Sequence, residues 1–340
     1  MSDLYLIGNG FDLFHGLPSD YYYFGCYLIK NYPEFYSELG RMYGFKTMIG
    51  SHFLEEFEDA VEYDLFWSKF EDRLGLLDPL WLEESLIDNL DLEYPDDAVD
   101  IEIPEVTNAD TIKKYFNEWV VNTLNTNAGL KIVASELGKK KLDLSEDSFF
   151  VNFNYTSILE KIYGIPDKRI FHIHGVSELE EATELIVGHG NKKAITDYQK
   201  RIESIEADTY YLSSQAERNR LNEYCAEKEI LENLLKDTDS LVADLKYFLR
   251  DKKIDSIYIM GLSCGNVDLP YIECIKELYP KAVWHFSYFN DKEKETRKKL
   301  VDKMLDKHDE AEYFLLKNEN ANEIKEKIID KLSIQVYKKI

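Results

Sequence analysis

Two histidines at the end of an apolar run are the first residues whose types and spacing suit chemistry. The segment HIHG contains His172 and His174, followed by Gly175. A histidine changes charge near neutral pH and suits a general base, and strand alternation predicts that both rings lie on one face. No Asp, Glu or Cys lies at ligand spacing, so we expect no metal here. Either ring could instead be packed and hydrogen bonded, and His172 is the better candidate for that role.

A second polar cluster ends the apolar run SFFVNFNYT. Asn152, Asn154 and Thr156 lie at the carboxyl end of this run. An asparagine amide at a strand end can orient a water molecule or a ribose hydroxyl. The alternative is a turn capped by asparagine, and from this segment alone that alternative is the stronger one.

The chain opens with a glycine-hinged turn, LYLIGNGFDLFHGLP. Gly8 and Gly10 follow the first apolar run, and Gly16–Pro18 lie a few residues later. Glycine permits close backbone approach, and the start of a following helix offers amides to a phosphate. The turn is not a dehydrogenase fingerprint, because Leu13 stands where the third glycine would be, and no Walker motif is present. A pyrophosphate cradle and a plain strand-to-helix turn are both open.

The segment GLSCGNVD matches the pattern G-x-S-x-G. Gly261 and Gly265 flank Ser263, and Asp268 follows. This pattern raises the possibility of an α/β-hydrolase elbow, which needs an acid and a later histidine such as His285. The nucleophile would then lie late in the chain, with only two short strands after it. A serine hydrolase using Ser263 is therefore a minority alternative.

These segments follow short apolar runs that are separated by helical patterns, which indicates a parallel α/β sheet. Ligands in such sheets bind at the carboxyl ends of the strands, where the polar residues fall. The predicted strand segments are Leu4–Ile7, Ser148–Thr156, Arg169–Gly175, Leu185–Asn191, Ser256–Asp268, Ala282–Phe289 and Ala311–Leu316.

Two helical blocks interrupt the predicted sheet. We predict an α/β core of residues 1–25, 146–191 and 251–340, a helical insertion at 26–145 and a helical hairpin at 192–250. Within the first insertion, residues 50–92 and 111–138 show helical patterning, and 93–110 reads as a loop or weakly ordered linker.

The composition restricts the compartment and the partners. The formal net charge is -24, from 41 basic and 65 acidic residues, so a polyphosphate would be repelled and general nucleic-acid binding is not expected. The four scattered cysteines suit a reducing compartment. No signal-like or membrane-spanning run is present, so we expect a cytoplasmic protein that does not contact the membrane.

Taken in order, IGNGFDLFHGLPSDYYYF, NFNYTSILE, HIHG, VGHGN and YIMGLSCGNVD resemble the phage abortive-infection AbiH family. The same order resembles the sirtuin-like NAD-binding folds of phage-defence proteins. The resemblance implies a Rossmann-like, sirtuin-like α/β core that uses NAD as substrate and hydrolyses it to nicotinamide and ADP-ribose. It also implies an anti-phage role.

The resemblance assigns roles to individual residues. It implies that Asn154 and His174 are catalytic. We further expect that Asp12 touches a ribose hydroxyl or fixes the loop. The NAD-binding residues that it implies are Gly8, Gly10, Gly16, Leu17, Pro18, Gly261 and Ser263. We predict the same role for Asn9, Phe11, Asp12, Thr156 and Asp268. Because no zinc-binding cysteine quartet is present, NAD hydrolysis is favoured over deacetylation.

Thr156 departs from the sirtuin-like pattern, because it stands where an acid follows Asn-Tyr. This departure favours an alternative, a non-catalytic module that senses NAD or ADP-ribose. The aromatic-rich helical blocks are candidates for a homo-oligomer interface or for contact with a phage-derived trigger, although such a stripe is more often intramolecular core.

Overall fold

A parallel β-sheet organises the part of the chain that carries the predicted site. The computed structural model describes residues 2–45, 66–67, 69–78, 108–145, 147–176, 185–207, 215–305 and 311–334. Within these residues the sheet has six strands. They are β1 (Ser2–Ile7), β2 (Phe149–Asn152), β3 (Ile170–His172), β4 (Ile254–Met260), β5 (Val283–Tyr288) and β6 (Ala311–Leu315).

The strand order is β3-β2-β1-β4-β5-β6, and every neighbouring pair is parallel. In register, Leu6 of β1 lies between Val151 of β2 and Ile259 of β4. This is the order of doubly wound nucleotide-binding sheets, and its direction of winding reverses between β1 and β4. The predicted Rossmann-like parallel α/β class is confirmed.

Helices lie between the strands along the chain and after the last of them. They are α1 (Asn9–Phe14), α2 (Tyr21–Asn31), α3 (Pro33–Met42), α4 (Phe70–Arg73), α5 (Ala109–Trp119), α6 (Asn127–Leu137), α7 (Ile158–Lys161), α8 (Lys192–Glu206), α9 (Gln215–Asn233), α10 (Thr238–Leu249), α11 (Leu269–Leu278), α12 (Asp291–Met304) and α13 (Ala321–Leu332). A π-helical turn, Val120–Leu124, continues α5. No helix in the described ranges is long and apolar enough to cross a membrane.

Both faces of the sheet are buried, which explains the continuous apolar runs of its strands. Leu4 and Leu6 of β1 pack into one core cluster with residues of α10, α11 and α12. Tyr5 and Ile7 point to the opposite face and pack with residues of α6, α7 and α13. Helices on both faces leave the ends of the strands as the place for polar groups.

The chain divides into two compact units. The first comprises Met1–Tyr23, Asn117–Ile186 and Asp237–Ile340 and contains the whole sheet. The second comprises Phe24–Phe116 and Val187–Lys236. These limits differ from the predicted insertions at 26–145 and 192–250, because α6 and α10 pack on the sheet. The predicted core of 1–25, 146–191 and 251–340 stays a prediction of domain organisation.

The second unit has an aromatic core of its own. Phe24 lies edge-on to Phe70 and Phe116, with ring centroids 5.4 and 5.2 Å away, and all three are fully buried. These aromatic residues of the second unit therefore serve as intramolecular core. The range 192–250, predicted as a helical hairpin, contains α8 and α9 and also α10. Most of 50–92 and 93–110, predicted as helix and linker, lies outside the described residues.

One predicted strand is wrong. Residues 185–191 form no strand, and only His189 makes an isolated bridge, to Leu235. Leu185 and Val187 are buried at 3% and 2% exposure. The apolar pattern of this segment thus indicated burial. A segment can be buried without pairing with a neighbouring strand. The predicted strand Arg169–Gly175 is shortened to β3.

Candidate functional site

The loops after β1 and β4 meet at the point where the sheet reverses its winding. Gly8 donates its backbone N–H to the carbonyl of Met260 over 3.0 Å, and Gly10 donates to the carbonyl of Gly261 over 2.8 Å. A Cβ on Gly10 would lie 2.7 Å from the Cα of Gly261, so glycine is required by backbone packing. The amides of Gly8 and Gly10 are therefore engaged, and the predicted pyrophosphate cradle cannot use these two amides.

Asp12, in α1, ties this loop to the one after β2. Its Oδ1 accepts hydrogen bonds from Asn154 Nδ2 over 2.9 Å and from Thr156 Oγ1 over 3.0 Å, and its Oδ2 lies 2.9 Å from the same hydroxyl. The residue is 2% exposed. Burial raises the pKa of Asp12 to about 7, although the bonds from Thr156 and Asn154 oppose the rise. These contacts join the loop after β1 to the loop after β2, as expected if Asp12 fixes the loop.

Asn154 is held on several sides. Its Nδ2 also donates to the carbonyl of Gly8 over 3.0 Å, and its backbone N–H donates to Asn152 Oδ1 over 3.0 Å. Asn152 Nδ2 in turn donates to the carbonyl of Thr156 over 3.3 Å. Among the described residues, none donates to Asn154 Oδ1. The site therefore contains a buried, firmly held amide with an oxygen that can accept a hydrogen bond.

His174 lies in the turn after β3 and contacts the residues on either side of Asn154. Its Nδ1 is 3.2 Å from the carbonyl oxygen of Phe153, and its ring stacks on Tyr155 with centroids 5.7 Å apart. A carbonyl oxygen only accepts, so Nδ1 carries the hydrogen and Nε2 carries the lone pair of the neutral ring. This tautomer is the one that a general base acting through Nε2 needs.

His172 has different surroundings. Its Nε2 lies 2.6 Å from Glu160 Oε1, and its Nδ1 lies 3.4 Å from Asn152 Nδ2. The interpretation that His172 and His174 share one strand face is wrong, because β3 ends at His172 and the chain turns there. The packed, hydrogen-bonded role expected for His172 agrees with these contacts.

Hydrogen bonds between its own residues hold the turn after β4. Ser263 Oγ donates to Asp268 Oδ2 over 3.4 Å, and the N–H of Gly265 donates to the same oxygen over 3.0 Å. No histidine of the described ranges bonds Ser263, so the described residues contain no assembled serine triad. The neighbouring Cys264 is buried, and burial raises the pKa of its thiol to about 12, which makes it a poor nucleophile.

The remaining predicted contacts differ in accessibility. Asn9 is exposed and accepts a hydrogen bond from Ser19 over 2.6 Å. Phe11 and Leu17 are buried in the core, and Gly16 packs against α13. Pro18 is buried beside them. The structure gives Phe11 and Gly16–Pro18 a packing role, and their assignment to NAD binding stays a prediction.

Two residues of the site were missed by sequence reasoning. Ser287, at the end of β5, accepts the N–H of Gly261 over 2.8 Å, and its position at a strand end was a usable signal. Arg297 in α12 donates to the carbonyls of Leu262 and Ser263 over 2.9 and 3.2 Å. It gave no signal, because it lies among many other charged residues of an ordinary helix.

Comparison with protein families adds a finding that the geometry alone does not supply. Residues 4–288 match the model of the bacteriophage abortive infection family AbiH. The chain belongs to this family. The matched residues run from within β1 to the end of β5, so every loop described above lies within the AbiH region. Neither a curated protein nor a solved structure shows significant similarity to the chain.

Membership in the AbiH family supports a role in abortive infection of bacteriophages. The chemistry available at the site is that of a buried amide acceptor and a histidine with a defined tautomer, both positioned by strand ends. Among the described residues, no three His, Cys, Asp or Glu side chains are grouped so that they could hold a metal ion.

Proposed function

We propose that this AbiH protein binds NAD at the carboxyl ends of β1, β2 and β4 and hydrolyses it to nicotinamide and ADP-ribose. One observation carries the proposal: the loops after these three strands are bonded together at the switch point of a 3-2-1-4-5-6 sheet, the usual place for a dinucleotide. Loss of NAD would deprive the infected cell of the metabolism that phage growth requires.

The proposed reaction breaks the bond between the nicotinamide nitrogen and ribose C1. Nicotinamide leaves with the bonding electron pair, and a water oxygen bonds to C1. His174 Nε2 accepts a proton from that water, in keeping with the tautomer set by the Phe153 carbonyl. Asn154 Oδ1 accepts a hydrogen bond from the water or from a ribose hydroxyl.

The test is nicotinamide release from NAD by the purified full chain, followed by chromatography. We expect His174→Ala to lose about 10²–10⁴-fold in rate, the usual contribution of a general base. His285→Gln is the matched control, since His285 is a half-buried histidine of the same sheet, stacked on Tyr258 with centroids 4.2 Å apart. We expect this variant to keep the wild-type rate.

The alternatives predict different results. A non-catalytic sensor would bind NAD or ADP-ribose in calorimetry while releasing no nicotinamide. A serine hydrolase would be labelled at Ser263 by a fluorophosphonate, and Ser263→Ala would abolish the labelling. Equal turnover of NAD by the wild type and His174→Ala would show that the proposed base is wrong.

A further inference from the structure

We propose that Asp12 is a positioning residue, which acts as a hydrogen-bond acceptor and fixes the Asn154 amide with Oδ1 turned toward the ligand. Its catalytic consequence rests on the proposed NAD hydrolysis. The orientation of Asn154 itself can be measured without any reaction.

The argument starts from the two ends of an asparagine amide, which are similar in size and opposite in hydrogen bonding. Asn154 Nδ2 faces two oxygens, Asp12 Oδ1 at 2.9 Å and the carbonyl of Gly8 at 3.0 Å. A carbonyl oxygen only accepts, and Asp12 Oδ1 also accepts. Turning the amide by 180° would place Oδ1 against both oxygens, and neither of these two contacts could then contain a hydrogen bond. The turned amide would lose both hydrogen bonds and bring three acceptor oxygens together.

The fixed amide defines the ligand group that it can meet. With both Nδ2 hydrogens used, only Oδ1 remains, and it accepts. The group opposite it must therefore donate, as a water or a ribose hydroxyl does and a phosphate oxygen does not. Asp12 thus determines which kind of group the site recognises at this point.

The property of Asp12 that matters is its ability to accept a hydrogen bond, and not its negative charge. The groups that bond the Asp12 carboxyl are the neutral side chains of Thr156 and Asn154, and no lysine or arginine of the described ranges pairs with it. An asparagine at this position can reproduce the arrangement. Its Oδ1 would accept from Asn154, and its Nδ2 would donate to Thr156 Oγ1.

The experiment compares Asp12→Asn with Asp12→Leu in the full chain. We expect Asp12→Asn to keep kcat within about threefold of the wild type. Asp12→Leu removes the acceptor at similar size, and we expect kcat to fall about 10²-fold with a smaller change in KM, because misplacement of a reacting group costs that much. An equal loss in both variants would overturn the proposal, since the charge would then be the property that matters.

A second readout does not depend on NAD hydrolysis. In protein labelled with ¹⁵N at asparagine, we expect the Asn154 side-chain amide, assigned with Asn154→Asp, to exchange at least tenfold more slowly in the wild type and Asp12→Asn than in Asp12→Leu. Equal exchange in all three would overturn the positioning role. Slow exchange without nicotinamide release would leave Asp12 as assigned and reject only the proposed reaction.

Thr156 provides a second pair of variants should Asp12→Leu not fold. Thr156→Ser keeps the hydroxyl that bonds Asp12, whereas Thr156→Val removes it at the same volume. We expect faster exchange of the Asn154 amide in Thr156→Val, with Thr156→Ser like the wild type. The same exchange rate in both would contradict the proposed chain of contacts.

Discussion

At the scale of single residues, a hydrogen bond joins Asn154 Nδ2 to Asp12 Oδ1 over 2.9 Å at the candidate site. The sequence singled out both residues, since each follows an apolar run. It gave no reason to join them, because they are far apart in the chain and only the pairing of β1 with β2 brings their loops together. The roles predicted for single side chains therefore did not include the contact between them, and both roles predicted for Asp12 stay predictions.

The raised pKa of Asp12 also predicts that the stability of the fold depends on pH. Its pKa is raised to about 7 in the fold and returns to the usual value of a carboxyl, 3.8, on unfolding. The folded chain thus binds this proton more tightly. The stability that it contributes is fully present below about pH 4 and is lost as the pH rises through about 7.

Urea unfolding of the wild type and Asp12→Asn between pH 4 and 8 would measure this effect. Because asparagine does not titrate, the free energy of unfolding of the wild type should fall relative to Asp12→Asn as the pH rises, by an amount on the order of a few kcal/mol. A difference that is constant with pH would show that Asp12 keeps an ordinary pKa in the fold.

At the scale of elements, apolar runs predicted the strands well where a neighbouring strand exists. The segments of β1, β2, β4, β5 and β6 were all predicted, and burial on both faces explains why their runs were so clear. The run at 185–191 has the same pattern and forms no strand. Gly188 adopts φ +156 there, and a Cβ on it would lie 2.0 Å from the carbonyl oxygen of Leu234. The sequence does not show whether a buried segment has a neighbouring strand to pair with. This pairing is what distinguishes a strand from a buried loop.

The turn after β1 gives a further prediction. A Cβ on Gly10 would lie 2.7 Å from Gly261 Cα and 3.0 Å from its carbonyl oxygen, and neither backbone atom can move easily. We expect Gly10→Ala to lower the free energy of unfolding by about 1–3 kcal/mol, as overpacking does. The same substitution should weaken nucleotide binding, because it separates the two loops.

Gly265→Ala is the matched control for Gly10→Ala. Gly265 lies in the turn after β4, and the nearest side-chain atoms to an added Cβ, on Ser263 and Asp268, are 3.8 and 3.9 Å away. We expect this variant to unfold at the same urea concentration as the wild type. If Gly10→Ala were equally stable, the close approach of the two loops would not be a structural requirement.

At the scale of the whole molecule, a net charge of -24 has to be reconciled with an anionic ligand. Long-range repulsion acts on every phosphate, so affinity must come from short-range hydrogen bonds at one place. The switch point of the sheet is such a place. Helices cover both faces of the sheet, so polar groups are accommodated at the ends of the strands. The composition therefore disfavours long nucleic acids and is compatible with a small nucleotide.

An infection experiment tests the family role and the proposed reaction together. Cells expressing the wild type, His174→Ala or His285→Gln would be infected, and plaque number and cellular NAD would be measured together. We expect wild type and His285→Gln to lose NAD and restrict plaques, because both keep the proposed base. His174→Ala should keep its NAD, with plaque numbers equal to those of cells without the protein. Protection by His174→Ala at normal cellular NAD would separate phage defence from NAD hydrolysis and favour the nucleotide sensor.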